Sequence, residues 1–155
     1  MHMNRRRDLP LLCPSSQPDH PDAVVFGVQV VREDGQPRVG YLTQLQPASP
    51  EILALSGPAK PTEVLRIAAP CAKHSCQHFD GGGCKLAARV AGLLNPVVSG
   101  LPRCLIRPSC LWFRQEGKAA CLRCSQVVTE LRELTELQRE VAGPGAAPGS
   151  ASAAA

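Results

Sequence analysis

Seven cysteines crowd into the 54 residues from Cys71 to Cys124, ordered as Cys71-x4-Cys76-x7-Cys84, a 19-residue gap, then Cys104-x5-Cys110-x10-Cys121-x2-Cys124. A buried free cysteine packs as a small hydrophobe, which accounts for one or two of these residues. It does not account for the whole group, because Cys76, Cys84 and Cys121 stand in polar, glycine-rich or basic surroundings. The eighth cysteine, Cys13, lies apart in a proline-rich start and is set aside. With one Trp, one Tyr and three Phe in 155 residues, the core must rely on Val, Leu, Ile and Ala, which bury less area each. A chain this short and this poor in aromatics calls for another staple, and the cysteines supply it.

The compartment decides which staple. Arg5, Arg6 and Arg7 followed by Leu9, Leu11 and Leu12 imitate a signal peptide, but Pro10 interrupts the apolar stretch. Leu11-Leu12 before Cys13 also lacks the small residue of a lipoprotein site. Cytoplasmic residence is therefore expected, and a reducing compartment favours metal binding or free thiols over disulfides. No apolar run approaches the ~20 residues of a spanning helix, so no membrane is expected.

The formal net charge of +4 is concentrated rather than spread. Arg103, Arg107, Arg114, Lys118 and Arg123 face only Glu116 in their stretch, which gives 5 − 1 = +4 there. This basic stretch coincides with cysteines, and cations there would offset thiolates held on a metal or cluster. Phosphate binding would also use cations, but the near absence of interleaved aromatics for base stacking argues against nucleic acid.

The chain divides into an unstructured lead-in (1–22), a cysteine-rich metal-binding domain (23–141) and a disordered Ala/Gly/Pro tail (142–155). The β-branched run 23–32, the turn Glu33-Asp34-Gly35-Gln36 and the returning run 37–45 predict a β-hairpin. Ser49-Pro50-Glu51 opens a short helix that Gly57-Pro58 stops. Residues 62–69 predict a third strand, 84–94 a helix with Leu86, Val90 and Leu93 on one face, and 110–116 a short helix capped by Ser109. Val127, Leu131, Leu134 and Val141 recur at helical spacing, predicting one last helix that begins between Ala119 and Cys124 and runs to about Val141. The expected fold class is α+β: a hairpin and third strand, followed by short helices around a cysteine-ligated metal centre.

His74 and His78 flank Cys76 and add nitrogen ligands to the set Cys71, Cys76 and Cys84. Asp80-Gly81-Gly82-Gly83 lets the backbone fold tightly there, and no Walker pattern follows to suggest a phosphate loop. Cys84, Cys110 and Cys121 fall at expected helix starts, where the dipole would bias them toward the metal-ligating thiolate. Only Cys121-Leu122-Arg123-Cys124 forms a C-x2-C knuckle, so the paired knuckles of zinc ribbons are missing. Ferredoxin spacing is missing too, yet an iron–sulfur site outside that class can draw on unevenly spaced cysteines. Trp112 and Phe113 stand beside Cys110, either to shield a cluster from water or simply as core.

The stretches 61–84 (PTEVLRIAAPCAKHSCQHFDGGGC) and 104–129 (CLIRPSCLWFRQEGKAACLRCSQVVT) resemble small cysteine-rich bacterial proteins of unassigned function. The resemblance implies no activity and no ligand.

Three functions remain open on these residues. The first is a non-catalytic protein that binds an iron–sulfur cluster, most readily 4Fe–4S, for electron transfer or redox sensing with a protein partner. Its best ligand set is Cys104, Cys110, Cys121 and Cys124, with Cys71, Cys76 and Cys84, joined by His74 or His78, as a second site or extra ligands. The second is a zinc-stapled interaction module that contacts a partner through the C-terminal helix. The third is a thiol oxidoreductase built on Cys121-x2-Cys124, which leaves the other cysteines unexplained. Nothing resembles a hydrolase or transferase site.

Overall fold

Alternation of β-branched residues and a turn that tolerates a left-handed glycine build the first half. In the computed structural model, which describes residues 10–143 except 81 and 132, β2 (Val24–Val31) and β3 (Pro37–Pro47) form the expected antiparallel hairpin. Gly35 turns it at φ 80°, and the Asp34 carboxylate accepts from the Gln36 amide at 2.9 Å. β4 (Leu65–Pro70) pairs antiparallel with the other side of β2, and the two-residue β1 (Leu12–Cys13) pairs with β4. The sheet order is β1-β4-β2-β3.

The register of β2 shifts between Val25 and Gly27 against both neighbours, so Val25 and Phe26 are both buried, each in a different cluster. A side chain at position 27 would meet Val39 Cγ1 at 2.3 Å, so only glycine fits.

β4 is buried along almost its whole length. Leu65, Ile67 and Ala69 pack with Val25 beneath α1 (Pro50–Ala54), while Ala68 joins Phe26 and Ile106 on the opposite face. Helices α3 (Lys85–Leu93), α4 (Leu111–Glu116), α5 (Lys118–Cys124) and α6 (Glu136–Ala142) share a third cluster around Leu86, Val90, Trp112, Val127 and Val141. Sheet and helices together are the mixed α+β architecture expected.

Several elements differ from expectation. Residues 62–64, read as the start of the third strand, belong to the short helix α2 (Pro61–Val64), because Pro61 presets the first helical φ and Glu63 bonds back to the Lys60 amide at 2.7 Å. The single last helix is broken. Residues 125–131 leave it where the sheet takes their backbone: Val39 N–H donates to the Ser125 carbonyl at 3.0 Å and Gln29 Nε2 to the Val127 carbonyl at 3.0 Å. The lead-in also differs over residues 10–22. Ser16 N–H donates to Ile67 O at 2.9 Å, Cys71 N–H to Leu11 O at 2.8 Å, and Leu12 bridges to Cys110. Residues 1–9 of the expected lead-in and 144–155 of the expected tail lie outside the described residues.

Candidate functional site

The fold sorts the eight cysteines into two sets of four. Cys13, Cys71, Cys76 and Cys84 line one cavity of about 440 Å³, together with His78, His20 and Asp19. Cys104, Cys110, Cys121 and Cys124 line a second, of about 20 Å³, with Phe26, Tyr41 and Arg107 and no carboxylate. All eight are free thiols.

Local structure explains each placement. The β1–β4 pairing carries Cys13 alongside Ala69, two residues before Cys71. The tight hairpin of β5 (Phe79–Asp80) and β6 (Gly83–Cys84), with Gly82 at φ 89°, brings Cys84 back over the Cys76 loop. The Gln115 side chain fixes Cys84 from α4, accepting from its amide and donating to its carbonyl at 2.8 Å each. Cys110 ends a 3-10 turn and caps α4, while Cys121 and Cys124 lie along α5.

Four of the sulfurs, two on loops, one at a helix start and one at a helix end, accept a hydrogen bond from nitrogen. The amides of Lys73, His78 and Ala87 reach the sulfurs of Cys71, Cys76 and Cys84 at 3.4, 3.5 and 3.4 Å. Backbone amides of Ser15, Ile106 and Phe113 ease ionisation of Cys13, Cys104 and Cys110, and the Arg107 guanidinium eases that of Cys121, each by less than burial opposes it. Arg66 Nη2 reaches Cys124 Sγ at 3.2 Å.

Arg66 is fully buried and rises from β4 into the space between the two sets. Its guanidinium donates to the carbonyls of Pro14 (3.1 and 2.7 Å), Cys124 (2.8 Å) and Val127 (3.0 Å), and lies 5.3 Å from the Phe26 ring centroid. Among the described residues no carboxylate pairs with it. Burial alone would make its positive charge less favourable, but the charges of Cys124 and Tyr41 outweigh that and hold it more firmly protonated.

The expectation that helix starts bias the thiols toward thiolate is reversed. Burial pushes Cys110 up to about 12 and also raises Cys84 and Cys121, despite the amide donors at Cys84 and Cys110 and the Arg107 guanidinium at Cys121. Burial raises Cys13 to about 11 as well. These helices are short, and the loss of water around a thiolate outweighs a few aligned peptide dipoles.

The histidines part company. His78 is buried, lines the larger cavity, and meets Arg89 Nη2 at 3.1 Å through Nδ1. Burial, then the Arg89 charge, lowers its pKa and keeps the ring neutral. His74 falls in the turn Lys73–Ser75, and its side chain lies outside the described residues. Among the basic residues singled out by position, Arg107 reaches the sulfurs, whereas Arg123 donates to the carbonyls of Leu94 and Ala119. Trp112 packs in the helical core, and Phe26 and Tyr41 flank the second set instead.

Sequence reasoning missed Cys13 and Arg66. A lone arginine within the apolar run Val64–Ala69 was the available signal for Arg66; distance along the chain hid Cys13. Among the described residues no three His, Cys, Asp or Glu side chains are gathered closely enough to hold a single metal ion. Comparison with family models, curated proteins and solved structures finds no match.

Proposed function

We propose that the chain is a non-catalytic iron–sulfur protein that holds a 4Fe–4S cluster on Cys104, Cys110, Cys121 and Cys124 and serves electron transfer or redox sensing with a protein partner. The observation that carries this reading is the fully buried Arg66 guanidinium 3.2 Å from the Cys124 sulfur, with no carboxylate to neutralise it among the described residues. A neutral thiol is a weak acceptor that needs no such donor, whereas a metal-held thiolate is a strong one. Hydrogen bonds to sulfur and burial also set the potential of such a cluster.

Soft thiolates without a lining carboxylate fit iron–sulfur or zinc chemistry. Tetrahedral zinc at ~2.3 Å from each sulfur would draw the sulfurs to about 3.8 Å from one another, and no such gathering is found among the described residues. A cluster would take each cysteine at a separate iron, with the sulfurs farther apart than at a single zinc ion. The 20 Å³ cleft is about the room of one water. A cluster would have to widen it. Burial, which raises Cys121, counts against a CxxC oxidoreductase.

Free thiols throughout accord with a cytoplasmic setting. Among the described residues no helix is long and apolar enough to cross a membrane. The test is anaerobic purification, visible absorbance, and analysis for Fe, Zn and acid-labile sulfide. Brown protein with equal iron and sulfide is expected. Colourless protein with stoichiometric zinc would replace this reading by a zinc-stapled module.

A further inference from the structure

We infer that Cys13, Cys71, Cys76 and Cys84 form a second iron–sulfur site, back to back with the first. The inference rests on the iron–sulfur reading and adds a ligand, Cys13, that lies 58 residues before its nearest companion in sequence, since 71 − 13 = 58.

Three observations carry it. The set borders a cavity of about 440 Å³, ample for a cluster. Three of the four sulfurs accept from an amide two or three residues further along: Lys73, His78 and Ala87. The backbone around Cys13 is held from three sides, by β4, by the Leu12–Cys110 bridge and by the Arg66 guanidinium on the next carbonyl. A packing cysteine needs none of this. A sulfur held in fixed register with three others on separate elements does.

Adjacency of the two sites is built into single peptide units. Cys13 lines the first cavity and Pro14 the second; Leu111 lines the first and Cys110 the second. Two centres separated by one residue of backbone would sense each other magnetically and electrostatically.

The test reconstitutes the full chain anaerobically with ferrous iron and sulfide, then counts iron in the wild type, Cys13→Ser, Cys76→Ser and Cys104→Ser. Cys76 sits on a loop, so its substitution leaves the core intact. About eight irons per chain are expected in the wild type, and about half in each variant. Electron paramagnetic resonance of the reduced wild type should show coupling between two centres that disappears in every variant. About four irons in the wild type, unchanged in Cys13→Ser and Cys76→Ser, would overturn the second site and leave the first. A wild-type count of about eight that Cys13→Ser does not reduce would remove Cys13 as a ligand. No iron or sulfide in any chain would overturn both readings together. Should Cys13→Ser fail to fold by circular dichroism, the wild-type count and Cys76→Ser still decide.

Discussion

Nη2 of Arg66 lies 3.2 Å from the Cys124 sulfur and 2.7 Å from the Pro14 carbonyl, so one guanidinium nitrogen touches the second cysteine set and the backbone beside Cys13 of the first. Arg66→Met would strand the carbonyls of Pro14, Cys124 and Val127 without their donor. A loss of about 3–5 kcal/mol is expected in urea unfolding of the metal-free chain. Arg66→Lys keeps the charge but not the fork, and should shift the midpoint potential of the loaded protein. A potential identical to wild type would separate Arg66 from the tuning of the site.

Cys110→Ala and Cys121→Ala should each lose about half of the bound iron. Elemental analysis after anaerobic reconstitution reads the effect. Full retention in both would sink the assignment of these two residues as ligands.

The metal-free chain should weaken as the solution turns alkaline. Burial holds Cys13 at about 11 and Cys110 at about 12 in the folded chain, against about 8.5 when unfolded. A group raised by folding contributes its full stability below the unfolded value and loses it as pH climbs toward the folded one. Tm should therefore decline from about pH 8.5 upward, measured in the presence of a chelator. In the loaded protein the thiols are already deprotonated, so the decline should be shallower.

Gly27→Ala places a methyl group 2.3 Å from Val39 Cγ1, at the register shift of β2. Overpacking of this kind costs about 1–3 kcal/mol, and thermal unfolding of the purified variant would show it. A wild-type Tm would mean that β3 yields at Val39 without strain.

Local signals made much of the fold legible. The hairpin follows from β-branched residues around a Gly35 turn, α1 from the Ser49 cap, and α3 from apolar residues at helical spacing. The membership of the set Cys104, Cys110, Cys121 and Cys124 could also be read, because those residues lie within one short stretch. What escaped was decided at long range. The apolar repeat through Val127 and Leu134 looked helical, yet the open bonds of Gln29, Val39 and Arg66 claimed the same backbone. The thiols at helix starts looked acidic until burial was known. Cys13 looked idle because the pairing of a two-residue strand leaves no pattern in the sequence.

The way residues 10–16 are tied across β4 also bears on how the chain would mature. The first set must close the span from Cys13 to Cys71, 58 residues, whereas the second draws on 20, from 104 to 124. Loop-closure entropy makes the longer span dearer by about 1 kcal/mol. In a chain that took clusters at both sets and loaded them during folding, that difference would favour the local set about fivefold under scarce iron. The order of segments along the polypeptide would then bias the order of its assembly.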